Sequence, residues 1–195
     1  MWAKRFMRSI GRCCGVVGMF VAAATIVSAG ALCAAAEVSP QAAVEVKLVD
    51  HAGLLAEVAR QRGKVVVLDC WSTSCPPCVR EFPRLVDLQN RHGDQIACLS
   101  LSLDYEGLDK PEDLLPPVRT FLEKVQAGRL VNMLASEESD SLYPKLGIDS
   151  VPAVFVYGRD GMLLQRFDED DSTKRLGRPF TYDDVETVVK RAVSP

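Results

Sequence analysis

Short apolar segments alternate with amphipathic ones along most of the chain. Residues 65–71 form an apolar run broken only by Asp69, a pattern typical of a strand buried on both faces of a sheet. Further apolar runs predict strands at 44–48, 96–103, 130–134, 153–157 and 162–167. The last two flank the sequence Gly-Arg-Asp-Gly, which is typical of a tight hairpin turn.

Helix start and stop signals lie between these runs. Asp50 can cap a helix that ends near Gln61, a second helix begins just after Cys75 and stops at Gly93, and Thr181 can cap a last helix that reaches about residue 193. Two further segments, 117–126 and 139–146, read as helices, and the first of them is inserted after the third strand. This alternation predicts an α/β fold: a central mixed sheet with helices on both faces, and an inserted helix and short strand after the third strand.

The first 36 residues predict an export signal and not part of the fold. Four basic residues precede an uncharged segment, 13–36, and Ala34 and Ala36 supply a small-x-small cleavage site before Glu37. The uncharged segment of 24 residues is also long enough to span a bilayer. A cleaved signal peptide and an uncleaved N-terminal membrane anchor therefore remain alternatives. In either case we expect residues 37–195 to form an exported, periplasmic domain.

The charge of that domain excludes one class of partner. The chain has 23 basic and 26 acidic residues, and removal of the four basic leader residues leaves 19 against 26, a net charge of −7. Such an acidic domain has no electrostatic footprint for nucleic acid.

Two of the four cysteines outside the leader form a Cys-x-x-Cys pair, Cys75 and Cys78. In an oxidising compartment such a pair is oxidised unless something reduces it, which favours a redox role. Cys75 lies at the predicted start of a helix, where the pKa of a thiol falls, and Cys78 lies one turn further in. We therefore expect Cys75 to attack a client disulfide and Cys78 to release the mixed disulfide.

Two acids flank this pair. Asp69 lies on a predicted core strand, where burial raises the pKa of a carboxyl, and it could handle the proton of Cys78. Glu81 follows Cys78 by three residues and shares its helix face, so it could serve the same purpose. The alternatives are a structural, hydrogen-bonded acid at Asp69 and an exposed helical residue at Glu81.

The segment around the pair resembles the thioredoxin superfamily, and most closely the exported TlpA/ResA-like thiol–disulfide oxidoreductases. The residues that carry the resemblance are Trp71, Cys75-Pro76-Pro77-Cys78, Glu81 and Pro83. Val79 departs from the basic residue of the family pattern, and Asp69 occupies the buried-acid position of thioredoxin itself.

A second motif, Val151-Pro152 before a strand, is similar to the cis-proline site of this superfamily. The resemblance implies a thioredoxin fold over about 44–193, with Pro152 facing the dithiol and the peptide at Val151 pairing with client backbone. We assign client binding to Trp71, Pro76, Pro77, Val151 and Pro152, with Trp71 also expected to pack in the core.

Other cysteine chemistries fit less well. A metal-binding module for zinc or copper is the main alternative, but one Cys-x-x-Cys supplies two ligands where a closed zinc site needs four. A peroxiredoxin motif would need proline and threonine where Leu68 and Ser72 stand. Cys70 and Cys98 lie in strands expected to be neighbours, and a bridge between them stays open beside two buried thiols. The acidic run 168–171 lacks calcium-loop spacing and is interpreted as a solvated loop.

The sequence thus predicts a thiol–disulfide oxidoreductase without cofactor. The resemblance suggests that it reduces exported protein disulfides, such as those of cytochrome c maturation clients, with electrons from an upstream thiol reductant.

Overall fold

Six strands form one sheet in the computed structural model, which describes residues 43–108 and 110–194. The strands are β1 (Val46–Val49), β2 (Val65–Trp71), β3 (Ile96–Ser102), β4 (Val131–Ala135), β5 (Ala153–Tyr157) and β6 (Leu163–Phe167). Their order across the sheet is β1-β4-β3-β2-β5-β6. Strands β1 to β4 pair in parallel, whereas β5 pairs antiparallel with β2, and β6 antiparallel with β5.

Six α-helices accompany the sheet within the described residues. They are α1 (His51–Arg60), α2 (Pro76–His92), α3 (Leu115–Lys124), α4 (Ser139–Leu146), α5 (Glu169–Leu176) and α6 (Tyr182–Val193). Helix α3 and a short 3-10 helix, Pro111–Leu114, form the insertion between β3 and β4. Helix α2 continues through Pro83.

The two faces of the sheet bury two separate hydrophobic cores. Helices α2, α3 and α6 pack on one face, through side chains such as Phe82, Leu122 and Val185. Helices α1 and α4 pack on the other, through Leu54 and Leu142 among others. The predicted mixed sheet covered on both faces, with a helical insertion, is therefore confirmed.

The alternation of side chains along β2 decides which core each residue enters. Val67 and Trp71 belong to the core under α2, whereas Leu68 and Cys70 belong to the opposite core. Asp69 has the parity of Val67 and Trp71 and so points toward α2 and α6.

The alternation of side chains also determines whether Cys70 and Cys98 can form a second disulfide. Cys98 lies in the core under α2, across the sheet from Cys70, and both are buried free thiols. Two cysteines on opposite faces of a sheet cannot approach closely enough to bond. The open alternative of a bridge between them is therefore wrong, and both act as small apolar residues.

The acidic run was predicted as a solvated loop, and this prediction is wrong. Asp168 is the N-cap of α5, where its carboxylate accepts a hydrogen bond from the backbone N–H of Asp171 at 2.7 Å. Glu169, Asp170 and Asp171 fill the first turn of the helix. Acidic side chains are favoured there because the helix dipole is positive at this end.

The predicted signal peptide or anchor, residues 1–36, lies outside the described residues. Among the residues that are described, no helix is long and apolar enough to cross a membrane.

Candidate active site

Cys75 and Cys78 lie at the junction of β2 and α2. Cys75 is the N-cap of α2, and its Sγ accepts a hydrogen bond from the backbone N–H of Cys78 at 3.3 Å. Pro76 takes the first helical position, where a missing N–H breaks no helical hydrogen bond. The two sulfurs are bonded at 2.09 Å, with the Cα atoms 5.3 Å apart.

The two sulfurs differ in their access to solvent. Cys75 is half-buried, whereas Cys78 is 4% exposed and packs into the core under α2. A client could therefore reach Cys75 far more easily than Cys78.

Asp104 fixes the turn that precedes Cys75. Its Oδ1 accepts three hydrogen bonds, from the Ser72 hydroxyl at 2.8 Å and from the N–H and hydroxyl of Thr73 at 2.8 and 2.6 Å. Its Oδ2 accepts from the Ser102 hydroxyl at 2.5 Å. Because Asp104 directly follows Leu103 at the end of β3, it ties the cysteine-bearing turn to the neighbouring strand.

Val151 and Pro152 lie beside Cys75. The peptide bond between them is cis, and the Val151 carbonyl oxygen is 3.8 Å from Cys75 Sγ. Both residues are half-buried, and they immediately precede β5. The structure thus brings the second sequence motif into contact with the first.

Asp69 is buried on β2, with 4% of its surface exposed. Its Oδ2 accepts a hydrogen bond from the Tyr182 hydroxyl at 2.6 Å. Burial raises the pKa of Asp69 to about 7, and the Tyr182 hydrogen bond acts in the opposite direction. The carboxyl can therefore change its protonation state near neutral pH.

A cleft of about 420 Å³ joins Asp69 to the dithiol. Asp69, Cys78 and Glu81 all line it, together with Pro77, Val151 and Pro152. The side chain of Glu81 is 46% exposed and lies 3.5 Å from Arg80 Nε. The two acids thus reach the same cleft from different environments, one in the protein interior and one at the solvent boundary.

Trp71 and Pro76 occupy contrasting positions. Trp71 is fully buried and packs against Phe82 and Phe121, with ring centroids 4.9 and 4.8 Å away. Trp71 does not line the cleft, and its assignment to client binding stays a prediction. Pro76 is exposed next to Cys75.

Within the described part of the chain, no group of three or more His, Cys, Asp or Glu side chains is arranged to hold a metal ion.

Comparison with known proteins identifies the family. The sequence pattern of the AhpC/TSA family matches residues 40–166, which is more than half of the chain. The chain belongs to the AhpC/TSA family. The chain resembles thiol–disulfide oxidoreductases of the ResA and DsbE type, which belong to the thioredoxin superfamily. Two curated relatives, the thiol–disulfide oxidoreductases ResA of Bacillus thuringiensis and Bacillus cereus, are each 23% identical over 127 residues, which is 65% of this chain and 68% of theirs.

Solved structures of other proteins share the fold of this chain. A thiol:disulfide interchange protein DsbE from Chlorobium tepidum superposes with a TM-score of 0.51 at 20% identity, over 70% of this chain and 85% of the other. A secreted Mycobacterium tuberculosis disulfide oxidoreductase homologous to DsbE gives 0.51 at 16% identity, over 68% and 85%. The predicted thioredoxin-type family is confirmed, and the chain is a thiol–disulfide oxidoreductase.

Several residues of the site were not predicted from the sequence. Phe180, in the segment that joins α5 to α6, and Tyr182, the first residue of α6, both line the cleft and lie far along the chain from the dithiol. The only sequence signal for this segment is the Thr181 cap, which predicts where α6 starts but not which strand it covers. Asp104 directly follows the predicted strand 96–103, and its hydrogen bonds to the active-site turn were not predicted.

Proposed function

We propose that this protein reduces disulfide bonds of exported client proteins through the Cys75–Cys78 dithiol. One observation carries the proposal. The half-exposed Cys75 caps α2 beside the Val151 carbonyl, while the buried Cys78 opens into a cleft that also holds Asp69 and Glu81. This arrangement gives the two sulfurs different tasks.

The first task is attack. In the reduced protein the N-terminus of α2 favours the thiolate of Cys75. That thiolate attacks one sulfur of the client disulfide, forms a Cys75–client disulfide, and expels the second client sulfur as a thiolate that takes a proton from water. The half-buried Val151 and Pro152 and the exposed Pro76 are the residues beside Cys75 that a docked client would meet.

The second task is release. Cys78 gives its proton to a carboxylate in the cleft and attacks Cys75 Sγ, which re-forms the Cys75–Cys78 disulfide and frees the remaining client sulfur. The client gains two electrons and the dithiol loses two. Asp69 is our first candidate for the proton acceptor, because its pKa of about 7 suits a general base near neutral pH. Glu81 is the second candidate.

Cellular context completes the proposal. The leader-like residues 1–36 support export, with cleavage or anchoring as alternatives. The names of the ResA and DsbE relatives support dithiol–disulfide exchange. We propose that the clients are exported proteins, including those of cytochrome c maturation, and that an upstream thiol reductant restores the dithiol.

The first experiment tests the roles of the two cysteines. A Cys78→Ala variant can attack but not release, so it should accumulate client proteins as mixed disulfides that a reductant dissolves. Peptide-resolved mass spectrometry should locate those bonds at Cys75. A Cys75→Ala variant is the matched control and should trap far less. Equal trapping by the two variants, or none by either, would contradict the proposed division of labour.

The second experiment tests the direction of electron flow. Equilibration of the purified protein with glutathione or dithiothreitol buffers gives the reduction potential of the Cys75–Cys78 pair. We expect a value near that of thioredoxin, about −270 mV, as a reductant requires. A value near about −120 mV would make the protein an oxidant of client dithiols and would overturn the reducing role.

A further inference from the structure

Tyr182 makes an unusual connection between the C-terminal helix and the centre of the active site. It is 5% exposed at the first position of α6, and its hydroxyl donates to Asp69 Oδ2 at 2.6 Å across 113 positions of sequence. Tyr182 and Asp69 both line the cleft that contains Cys78. A phenol that only filled the core would not need to reach a carboxyl.

The start of α6 is held in place by several independent contacts. Thr181 and Asp184 form a capping box, in which the Asp184 carboxylate accepts from the Thr181 backbone N–H at 2.8 Å. The Thr181 hydroxyl also donates to this carboxylate, at 3.0 Å. Arg178 adds two hydrogen bonds to the same carboxylate, each 2.8 Å long. Arg84 of α2 forms an ion pair with Asp183. The position of the Tyr182 ring relative to α2 is therefore well defined.

This geometry determines which part of the Asp69 carboxyl can accept a proton. Tyr182 occupies Oδ2, and no other hydrogen-bond donor from residues 43–108 or 110–194 engages the carboxyl. We propose that Tyr182 is a positioning residue for the release step, because its hydroxyl holds the Asp69 carboxyl by Oδ2 and leaves Oδ1 to take the proton of Cys78. This inference rests on the proposed function, in which Asp69 accepts that proton.

The hydroxyl has a second, electrostatic consequence. A hydrogen bond donated to a carboxylate stabilises the ionised form, so Tyr182 opposes the rise that burial imposes on the pKa of Asp69. It keeps part of the population ionised, and so able to act as a base, at neutral pH. Other titratable or charged groups that face Asp69 or share its cleft are Cys98 of β3, Cys78, Arg80 and Glu81 of α2, and Glu169 of α5.

The test compares Tyr182→Phe, which removes only the hydroxyl, with Tyr157→Phe. Tyr157 is a half-buried tyrosine that packs on the opposite face of the sheet. In the oxidised protein, the carboxyl carbon of Asp69 is titrated by NMR. We expect a midpoint near 7 in the wild type and in Tyr157→Phe. In Tyr182→Phe the midpoint of the Asp69 titration should rise by about one pH unit, because the variant loses a hydrogen bond that stabilises the ionised carboxylate by about the corresponding free energy.

Release kinetics should follow the titration. Single-turnover release of a model peptide disulfide should be about fivefold slower at pH 7 in Tyr182→Phe, and its pH profile should move upward with the Asp69 midpoint. In an Asp69→Asn background, Tyr182→Phe should add no further effect on release. An unmoved Asp69 midpoint would overturn the inference, and so would a midpoint that moves without the release profile.

Two results separate this inference from the proposed function. If the wild type reduces no disulfide at all, the proposed function fails. The inference about Tyr182 then fails as well, whatever the NMR titration of Asp69 shows. If the wild type turns over and the profile is unmoved, only the inference fails. If Tyr182→Phe does not fold, an NMR titration of the wild type tests the inference instead. The Cζ resonance of Tyr182 should then titrate with the same midpoint as the Asp69 carboxyl. Separate midpoints for the two groups would contradict the coupling.

Discussion

At the scale of single residues, the site contains pairs of chemically similar groups that differ in their burial. The two sulfurs are bonded to each other, yet Cys75 is half-buried and Cys78 is almost fully buried. The two carboxyls share one cleft, yet Asp69 is 4% exposed and the Glu81 side chain is 46% exposed. Burial raises the pKa of Asp69 to about 7, so Asp69 is the acid suited to proton transfer near neutral pH.

A comparison of Asp69→Asn with Glu81→Gln tests this difference. Asp69→Asn should slow release at pH 7.5 by at least about tenfold, because a positioned general base commonly contributes more than that. The rise of the release rate through pH 7 should disappear. Glu81→Gln should have a smaller effect of the same kind, since a solvated carboxylate is more easily replaced by water.

The attack step supplies the control for both variants. In a Cys78→Ala background, where only attack occurs, neither substitution should change the rate by more than about twofold, because the thiolate of Cys75 is already formed. If Asp69→Asn left release untouched at every pH, Asp69 would be structural, and proton transfer would rest on Glu81 or water.

At the scale of helices and strands, the sequence predicted most of the fold because local signals and tertiary structure agree. Strand β2 was predicted with its observed bounds, since its apolar run has no competing helical period. Helix α2 was predicted to begin just after Cys75 and to stop at Gly93, and the structure has both ends there.

Helix α5 was missed for an equally local reason. Its residues, Glu169–Leu176, are almost all polar, and Ser172 is the one fully buried residue among them. A helix with so little apolar surface has no hydrophobic period to detect. The Asp168 cap and the acidic first turn were visible in the sequence but were interpreted as a loop.

The remaining part of the site depends on tertiary structure alone. Residues near the dithiol in sequence, such as Pro77 and Glu81, could be assigned to it directly. Tyr182 could not, because its place beside Asp69 follows from how α6 crosses the sheet, which no local pattern encodes. Asp104 meets Ser72 and Thr73 only because β2 and β3 are paired in parallel, so that their ends lie together.

At the scale of the whole molecule, a buried carboxyl that serves the chemistry should cost stability. The folded protein holds the Asp69 pKa at about 7, against an ordinary value of 3.8. At a pH between these two values, Asp69 is ionised in the unfolded chain but protonated in the folded protein. The Asp69 contribution to the free energy of unfolding must therefore fall as pH rises from about 4 to about 7, and it is constant above that range.

Asp69→Asn should remove this contribution, and the difference in unfolding free energy between the variant and the wild type measures it. In urea unfolding of the oxidised protein, that difference should grow in favour of the variant from pH 4 to pH 7 and then level off. The shift from 3.8 to about 7 sets a ceiling of about 4 kcal/mol on the change. An unpaired amide N–H on the substituted side chain would cost about 1–3 kcal/mol, but equally at every pH, so the pH-dependent part is the test. Asp87→Asn, at an exposed position of α2, is the matched control and should run parallel to the wild type. A difference for Asp69→Asn that stays constant with pH would mean that the buried carboxyl is ionised throughout, and the pKa argument for its role as a base would fail.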